Sequence, residues 1–156
     1  MISQAFFAIV FLLGAIDPMP TFETQIELAK VYYYQQKLDE ALSVLQKLPP
    51  HSPSFEEELL LADIYFSKKD YSAAEESYKK IVDKAPNEEK KDYILLRLAE
   101  MFSWQKKYEP SIQIYKELIE KHPQDTQLRR KYAQVLIWAG NLAEAQKELE
   151  KIMNEK

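Results

Sequence analysis

The side chains best suited to acid–base or metal chemistry in this chain are two histidines and one run of glutamates. His51 lies in the stretch PPHSP and His122 in KHPQD, so each histidine falls in a proline-rich turn. Neither has a second ligand nearby in sequence, and we expect exposed turn residues without a metal. The run from Glu56 to Glu58 opens a predicted helix, where negative charge complements the helix dipole. We interpret it as a capping feature and not as a catalytic carboxylate pair.

The composition excludes further classes of reaction. The chain has no cysteine, which excludes a disulfide, a thiol nucleophile, a thiolate metal site and a lipid-bearing cysteine. The sequence contains no glycine-rich phosphate loop, nucleophile elbow or zinc-binding helix motif. We therefore predict a protein that is not an enzyme and that needs no cofactor.

The elements that position the remaining side chains are predicted to be helices. Only two glycines occur in 156 residues, and Ala, Leu, Glu, Lys and Gln are abundant, so we predict an all-α protein. The formal net charge is -4, with both signs interspersed along the chain. A nucleic-acid partner needs a basic stripe that neutralises phosphates, so no nucleic-acid partner is expected.

Residues 1–20 form a separate apolar segment. The stretch AFFAIVFLLGAI is apolar for twelve residues, and DPMP follows it. Twelve helical residues rise about 18 Å, short of the roughly 30 Å hydrocarbon core, so no stable membrane span is expected. The segment is typical of a secretory signal, although residues 1–4 carry no Lys or Arg and Leu13 occupies a position that prefers a small residue. An uncleaved anchor and a buried end-helix are the alternatives.

A pattern of small and bulky residues recurs four times after this segment. The alanines that mark the copies are 33, 37 and 34 residues apart, a period typical of a helical solenoid. Small side chains on both helices of a pair let the two helices approach closely. These residues are Ala29, Ala62, Ala99 and Ala133 on the first helices, and Ala41, Ala74, Ser111 and Ala145 on the second helices.

Local signals mark the ends of the predicted helices. Ser54 with Glu57, and Asn141 with Glu144, have the spacing of capping boxes. Pro110 falls in a first helical turn, where the missing amide costs little. Three extra residues near positions 87–91 are predicted to lengthen the linker between the second and third copies. Glycine occurs at a turn between paired helices only as Gly140.

These copies resemble tetratricopeptide repeats, which are helix–turn–helix units of 34 residues. The family pattern has small residues near its eighth and twentieth positions and a proline near its thirty-second. In this chain Ala29, Tyr32, Ala41, Leu45 and Pro53 match it in the first copy. The matches in the other copies are Ala62, Tyr65, Ala74, Tyr78 and Pro86; Ala99, Phe102, Ser111, Tyr115 and Pro123; and Ala133, Leu136, Ala145 and Leu149.

The resemblance implies a TPR-type α-α superhelix, a solenoid of antiparallel helix pairs over residues 22–156. Its four repeats are expected at about 22–54, 55–88, 92–125 and 126–156. A pentatricopeptide array, which reads RNA, is the rival interpretation. The acidic balance and the unequal spacings disfavour that rival.

The resemblance also implies a concave groove, lined by the first helices, that holds a partner. Tyr32 is expected to point into the core, Tyr33 to face the groove and Tyr34 to border it. The alternative is that the aromatic side chains only pack repeat against repeat. The predicted groove and its border consist of Ile26, Lys30, Tyr33, Tyr34, Leu59, Asp63, Phe66, Leu96, Arg97, Glu100, Ser103, Trp104, Arg130, Gln134, Ile137 and Trp138.

The sequence therefore predicts a non-catalytic scaffold that binds a partner protein or peptide in this groove. The apolar leader favours an exported protein of the periplasm or cell envelope. Two alternatives are a cytoplasmic secretion chaperone and an envelope accessory protein for glycan or polysaccharide export. At the C-terminal end, Leu142, Ala145, Leu149 and Ile152 are expected to be partly exposed for want of a capping helix. Self-association, a downstream domain or simple tolerance would each explain such exposure.

Overall fold

The computed structural model describes residues 21–154, and the apolar leader with its predicted export signal lies outside this range. Within the range, eight α-helices and one short 3-10 helix (Val82–Lys84) form, without a strand, which confirms the all-α prediction. The helices are α1 (Phe22–Tyr34), α2 (Leu38–Gln46), α3 (Phe55–Ser67), α4 (Tyr71–Ile81), α5 (Glu88–Trp104), α6 (Tyr108–Lys121), α7 (Thr126–Trp138) and α8 (Leu142–Asn154). None of these helices is long and apolar enough to cross a membrane.

The described chain divides into two compact units, with the division after Ser52. The first unit contains the helix pair α1 and α2, which pack on each other. The second unit contains three helix pairs, α3 with α4, α5 with α6, and α7 with α8. In this unit α4 also contacts α5, and α6 contacts α7, so each pair stacks on the next.

The small residues predicted to mark the helix pairs are buried. Each of the four first-helix alanines and the four second-helix small residues is at most 2% exposed. The Ser111 hydroxyl donates to the carbonyl oxygen of Ala99 at 2.7 Å, which satisfies the polar group that replaces alanine there. The expectation that Ala145 is partly exposed is wrong, because its side chain belongs to the core that joins α5, α6, α7 and α8.

Two apolar clusters form the core of the second unit. The first joins α3, α4 and the first part of α5, and it includes the fully buried Tyr78, Ile81 and Ile94. The second joins α5 to α8 through Tyr115, Leu136 and their neighbours. Because each cluster draws side chains from consecutive repeats, burial of apolar area stabilises the stacking as well as the individual helix pairs.

The extra residues near positions 87–91 extend a helix. Helix α5 has 17 residues, whereas α1, α3 and α7 have 13 each. The Asn87 side chain accepts a hydrogen bond from the Lys90 amide at 2.9 Å, and Glu88 and Glu89 follow in the first turn. An N-capping asparagine followed by acidic residues favours helix formation at this point. The prediction that these residues lengthen a linker is therefore wrong.

The predicted capping serine also acts as expected. The Ser54 hydroxyl accepts a hydrogen bond from the Glu57 amide at 3.2 Å at the start of α3. Pro110 is the third residue of α6, within its first turn. These local signals set where α3 and α6 begin, and so fix which residues face each repeat.

The turn within each helix pair contains one residue with left-handed backbone conformation. The φ angle is 61° at Gln36, 61° at Lys69, 60° at Lys106 and 81° at Gly140. Each is the second residue after a first helix, the position at which helices commonly end in this conformation. Only Gly140 adopts it without the steric penalty of a Cβ atom.

Replacing Lys106 with glycine should therefore stabilise the protein. We expect the free energy of unfolding to rise by roughly 0.5–1 kcal/mol, since glycine removes the left-handed penalty but adds freedom to the unfolded chain. Urea denaturation followed by circular dichroism measures this. The reverse change, Gly140→Ala, should cost about 1 kcal/mol through φ alone, because nothing lies within 4 Å of the added Cβ. Unchanged stability of both variants would contradict this explanation.

A buried ion pair fastens the last helix pair. Arg129 of α7 and Glu148 of α8 are both buried, with 2.5 Å between Nη1 and Oε2. Arg129 Nη2 also donates to the carbonyl oxygen of Pro123 at 2.6 Å, and Lys151 Nζ lies 2.6 Å from Glu148 Oε1. Burial opposes ionisation of Glu148, but these hydrogen bonds from Lys151 and Arg129 lower its pKa below the ordinary value. The pair therefore joins two charged groups in the protein interior.

Candidate partner-binding surface

The first helices of the second unit share one continuous surface, which we call the first-helix surface. It is formed by side chains of α3, α5 and α7 that contact one another across the repeats, from Asp63 to Trp138. It has a polar chain of hydrogen bonds, an aromatic cluster and a cleft, which we describe in turn.

The polar chain begins at Asp63 on α3. Its Oδ1 accepts hydrogen bonds from the Tyr78 hydroxyl at 2.5 Å and the Tyr93 hydroxyl at 3.0 Å. Burial raises the pKa of Asp63, although the two tyrosine hydroxyls act in the opposite direction. Asp63 is thus an internal anchor that joins α3, α4 and α5.

Arg97 of α5 continues the chain from Tyr93. Its Nε donates to the Tyr93 hydroxyl at 3.2 Å, and its Nη1 donates to Glu100 Oε2 at 3.1 Å. Partial burial opposes the positive charge, but the hydrogen bond to Tyr93 and the negative charge of Glu100 raise the pKa of Arg97. Glu100 also accepts from Lys131 Nζ of α7 at 2.5 Å. Charged groups therefore tie α5 to α7.

Arg97 also lies against aromatic rings. Its Cζ is 4.9 Å from the centroid of the Phe66 ring and 5.0 Å from that of Tyr93. A guanidinium at this distance is attracted to the face of a ring. Ring contacts and ion pair together hold the side chain in one place.

An aromatic cluster joins α3, α4 and α5 beside this chain. The centroid of the Trp104 ring lies 5.3 Å from Phe66 and 6.0 Å from Tyr71. Phe66 also contacts Tyr71 and Tyr78, so it packs repeat against repeat. Trp104 packs on this cluster on one side and is still 49% exposed.

A cleft of about 180 Å³ opens between α5 and α7. Trp104 of α5 and Trp138 of α7 line it, and both remain about half exposed, at 49% and 47%. The buried Tyr115 and Val135 provide an apolar floor. The polar lining residues are Glu100, Ser103, Lys131 and Gln134.

The structure brings together most of the predicted groove residues of the second unit. Asp63, Phe66, Arg97 and Glu100 are joined by direct contacts, and Gln134 and the two tryptophans line the cleft. Arg130 and Ile137 of α7 are exposed, and Ile137 borders a different hollow against α8. Leu96 is half-buried and packs on the second core cluster.

Leu59 corrects the predicted groove. It is 6% exposed and belongs to the first core cluster, alongside Ile94 and Tyr93 of α5. The repeat spacing places it in line with Ile26, Leu96 and Arg130, but side chains of α5 cover it. We therefore omit Leu59 from the first-helix surface.

Four predicted residues lie on α1 in the first unit. Ile26, Lys30 and Tyr33 are half-buried, and Tyr34 is exposed. Lys30 forms an ion pair with Glu27 at 2.7 Å, and the rings of Tyr33 and Tyr34 lie 5.6 Å apart. Tyr32, expected in the core, is only half-buried, with Lys37 Nζ 5.8 Å from its ring centroid. The groove assignment of the α1 residues stays a prediction.

The sequence reasoning missed several residues of the surface. Tyr71 and Tyr115 lie on second helices, so a rule that counts only first-helix positions cannot include them. Lys131 immediately follows the predicted Arg130, and Tyr93 precedes Arg97 by one turn. Extending the count by one turn, and across both helices of each pair, would have found all four.

The two histidines occupy turns with local partners. His51 Nδ1 lies 2.8 Å from the carbonyl oxygen of Pro49, and His122 Nε2 lies 2.7 Å from Asp92 Oδ2. Partial burial opposes ionisation of Asp92, but hydrogen bonds from His122 and Lys121 lower its pKa. Between residues 21 and 154, no three side chains of His, Asp or Glu cluster as a metal site would require.

Solved structures of other proteins share this architecture. MamA AMB-1 superposes with a TM-score of 0.71 at 17% identity, over 94% of this chain and 80% of that one. A tetratricopeptide repeat protein from Parabacteroides merdae superposes with a TM-score of 0.64 at 20% identity, over 98% of this chain and 58% of that one. At these identities the likeness establishes a shared fold. No curated protein matches the sequence.

Family models identify the repeats directly. One model described as a tetratricopeptide repeat matches residues 26–89, and a second with the same description matches residues 105–156. The two matches lie in both units, and the buried small residues occupy the positions that the family pattern requires. The chain belongs to the tetratricopeptide repeat family.

Proposed function

We propose that this chain is a non-catalytic scaffold that holds a partner protein on the first-helix surface of its second unit. Tetratricopeptide repeats are protein–protein interaction modules, and the cleft between Trp104 and Trp138 is the observation that carries the proposal. Large aromatic side chains are enriched among the residues that dominate binding energy at protein interfaces. Here two of them, about half exposed, flank a cleft with an apolar floor.

The cleft also indicates the form of the partner. A volume of about 180 Å³ suits a single bulky apolar side chain, with Tyr115 and Val135 beneath it. At the edge, Glu100 is shared between Arg97 and Lys131, so both signs of charge are present and already paired. This arrangement favours an extended segment with one apolar anchor and little net charge.

We further propose a location in the periplasm or cell envelope, on the pattern of residues 1–16 alone. The cytoplasmic secretion chaperone and the glycan-export accessory protein are the alternatives. A reporter that is active only after export, fused to residues 1–20, distinguishes export from a cytoplasmic location.

The Trp138→Ala and Trp104→Ala variants test the binding proposal. A photo-crosslinking residue at Gln134, in the cleft, captures the partner in cells, and the purified partner is then titrated against each variant. We expect the double variant to bind about 10- to 100-fold more weakly, as for the loss of central aromatic anchors. Stability should change little for Trp138→Ala and modestly for Trp104→Ala, whose ring packs on Phe66 and Tyr71.

Phe22→Ala is the matched control, because this ring is similarly exposed but lies on α1, outside the predicted groove. It should leave the affinity unchanged. A crosslinked partner whose affinity is the same for wild type and the double variant would overturn the proposal.

A further inference from the structure

The outer face of α8 is apolar and open. Leu142 is 62% exposed and Met153 is 74% exposed, and both border a hollow of about 430 Å³ together with Leu149 and Ile137. The buried Ala145 lies at the base of this hollow. We call these residues the α8 end face.

The same positions one repeat earlier are covered by a helix. Counting back 34 residues from Leu142, Leu149 and Met153 leads to Tyr108, Tyr115 and Ile119 on α6. These three side chains belong to or pack on the second core cluster, where α7 lies over α6. The α8 end face therefore repeats a surface that is an interface elsewhere in this protein.

Helix α1 carries the opposite half of such an interface. Leu28 is 43% exposed and Val31 is 48% exposed, one helical turn apart. Their counterparts on α7 are Tyr132 and Val135, each 2% exposed and packed in the second cluster with residues of α6. We call Leu28 and Val31 the α1 end face.

We propose that α1 of a second copy of this chain packs on the α8 end face, in the way that α7 packs on α6. The occupant follows from the repeat register, because the first-helix pattern that covers α6 recurs in α1 with its apolar stripe exposed. Such a contact joins two different surfaces, so each added copy leaves one α1 end face and one α8 end face available. The product is an open head-to-tail chain of copies. With a few apolar side chains on each face, dissociation constants in the micromolar to millimolar range are expected. This proposal uses other residues than the cleft and stands independently of it.

Sedimentation of the full chain, from about 1 µM to about 1 mM, tests the proposal. The weight-average mass should rise steadily above the 18.4 kDa of one chain without a plateau at a dimer. Two variants break one face each: Leu142→Lys with Met153→Lys on α8, and Val31→Lys on α1. Each variant alone should remain monomeric. An equimolar mixture of the two should form a dimer and stop there, because only one intact pair of faces remains.

Ala143→Lys is the control, since it adds the same charge to an exposed position of α8 away from the hollow. It should associate as wild type does. Circular dichroism melting checks that each variant is folded, as expected for substitutions at exposed positions. A wild-type chain that stays monomeric at every concentration would overturn the proposal. So would a Val31→Lys variant that still dimerises, which indicates pairing of two α8 faces, or a mixture that remains monomeric.

Discussion

Replacing Arg129 with methionine should lower the free energy of unfolding by about 3 kcal/mol. The substitution leaves the buried Glu148 carboxylate without its closest cationic partner and removes a donor from the Pro123 carbonyl oxygen. We expect the lower end of the range for a broken buried pair, because Lys151 still contacts Glu148 at 2.6 Å. Urea denaturation of wild type and variant measures the difference.

Arg130→Met is the control for this experiment. The two arginines are adjacent on α7, but Arg130 is exposed, so its loss should change stability by less than about 0.5 kcal/mol. The double variant Arg129→Met with Glu148→Leu should recover much of the lost stability, since no charge then remains buried at this place. Equal effects of Arg129→Met and Arg130→Met would show that the pair contributes nothing.

Enlarging Ala99 to leucine should destabilise the protein by roughly 2–3 kcal/mol. Ala99 is fully buried in the second core cluster, and its carbonyl oxygen accepts the Ser111 hydroxyl of α6. Three added carbons must displace α6 or adopt a strained rotamer, because interiors of this density have no room for them. Thermal and urea unfolding followed by circular dichroism give the change.

Ala143→Leu provides the comparison, because the same change on the exposed face of α8 meets no neighbouring helix. Its stability should stay within about 0.5 kcal/mol of wild type. If Ala99→Leu unfolds at the same urea concentration as Ala143→Leu, close helix approach at the small residues is not what fixes the pairing.

The repeat architecture was predictable because its signals are local and periodic. Ala62 and Ala99 mark first helices at a fixed spacing, and Ser54 marks the start of α3 by its own hydrogen bond. Each of these signals depends on the sequence within one repeat. Stacking four such units then defines the fold class without knowledge of any long-range contact.

The surface was less predictable because it depends on contacts between repeats. Leu59 occupies a groove position by count, yet it is buried among side chains of α5. Lys131 joins the surface through Glu100, 31 residues earlier, and no local pattern announces that pair. The helical extension at Asn87 was mistaken for a linker because an insertion in a repeat has no periodic counterpart to define it.

The fixation of Arg97 has a consequence for how a partner is received. A free arginine side chain loses rotational freedom when a complex forms, at a cost of about 0.5–1.5 kcal/mol for each ordered side chain. Phe66, Tyr93 and Glu100 already impose that order on Arg97 in the unbound molecule. The wall beside the tryptophans is therefore preorganised, and an incoming segment loses entropy mainly on its own side.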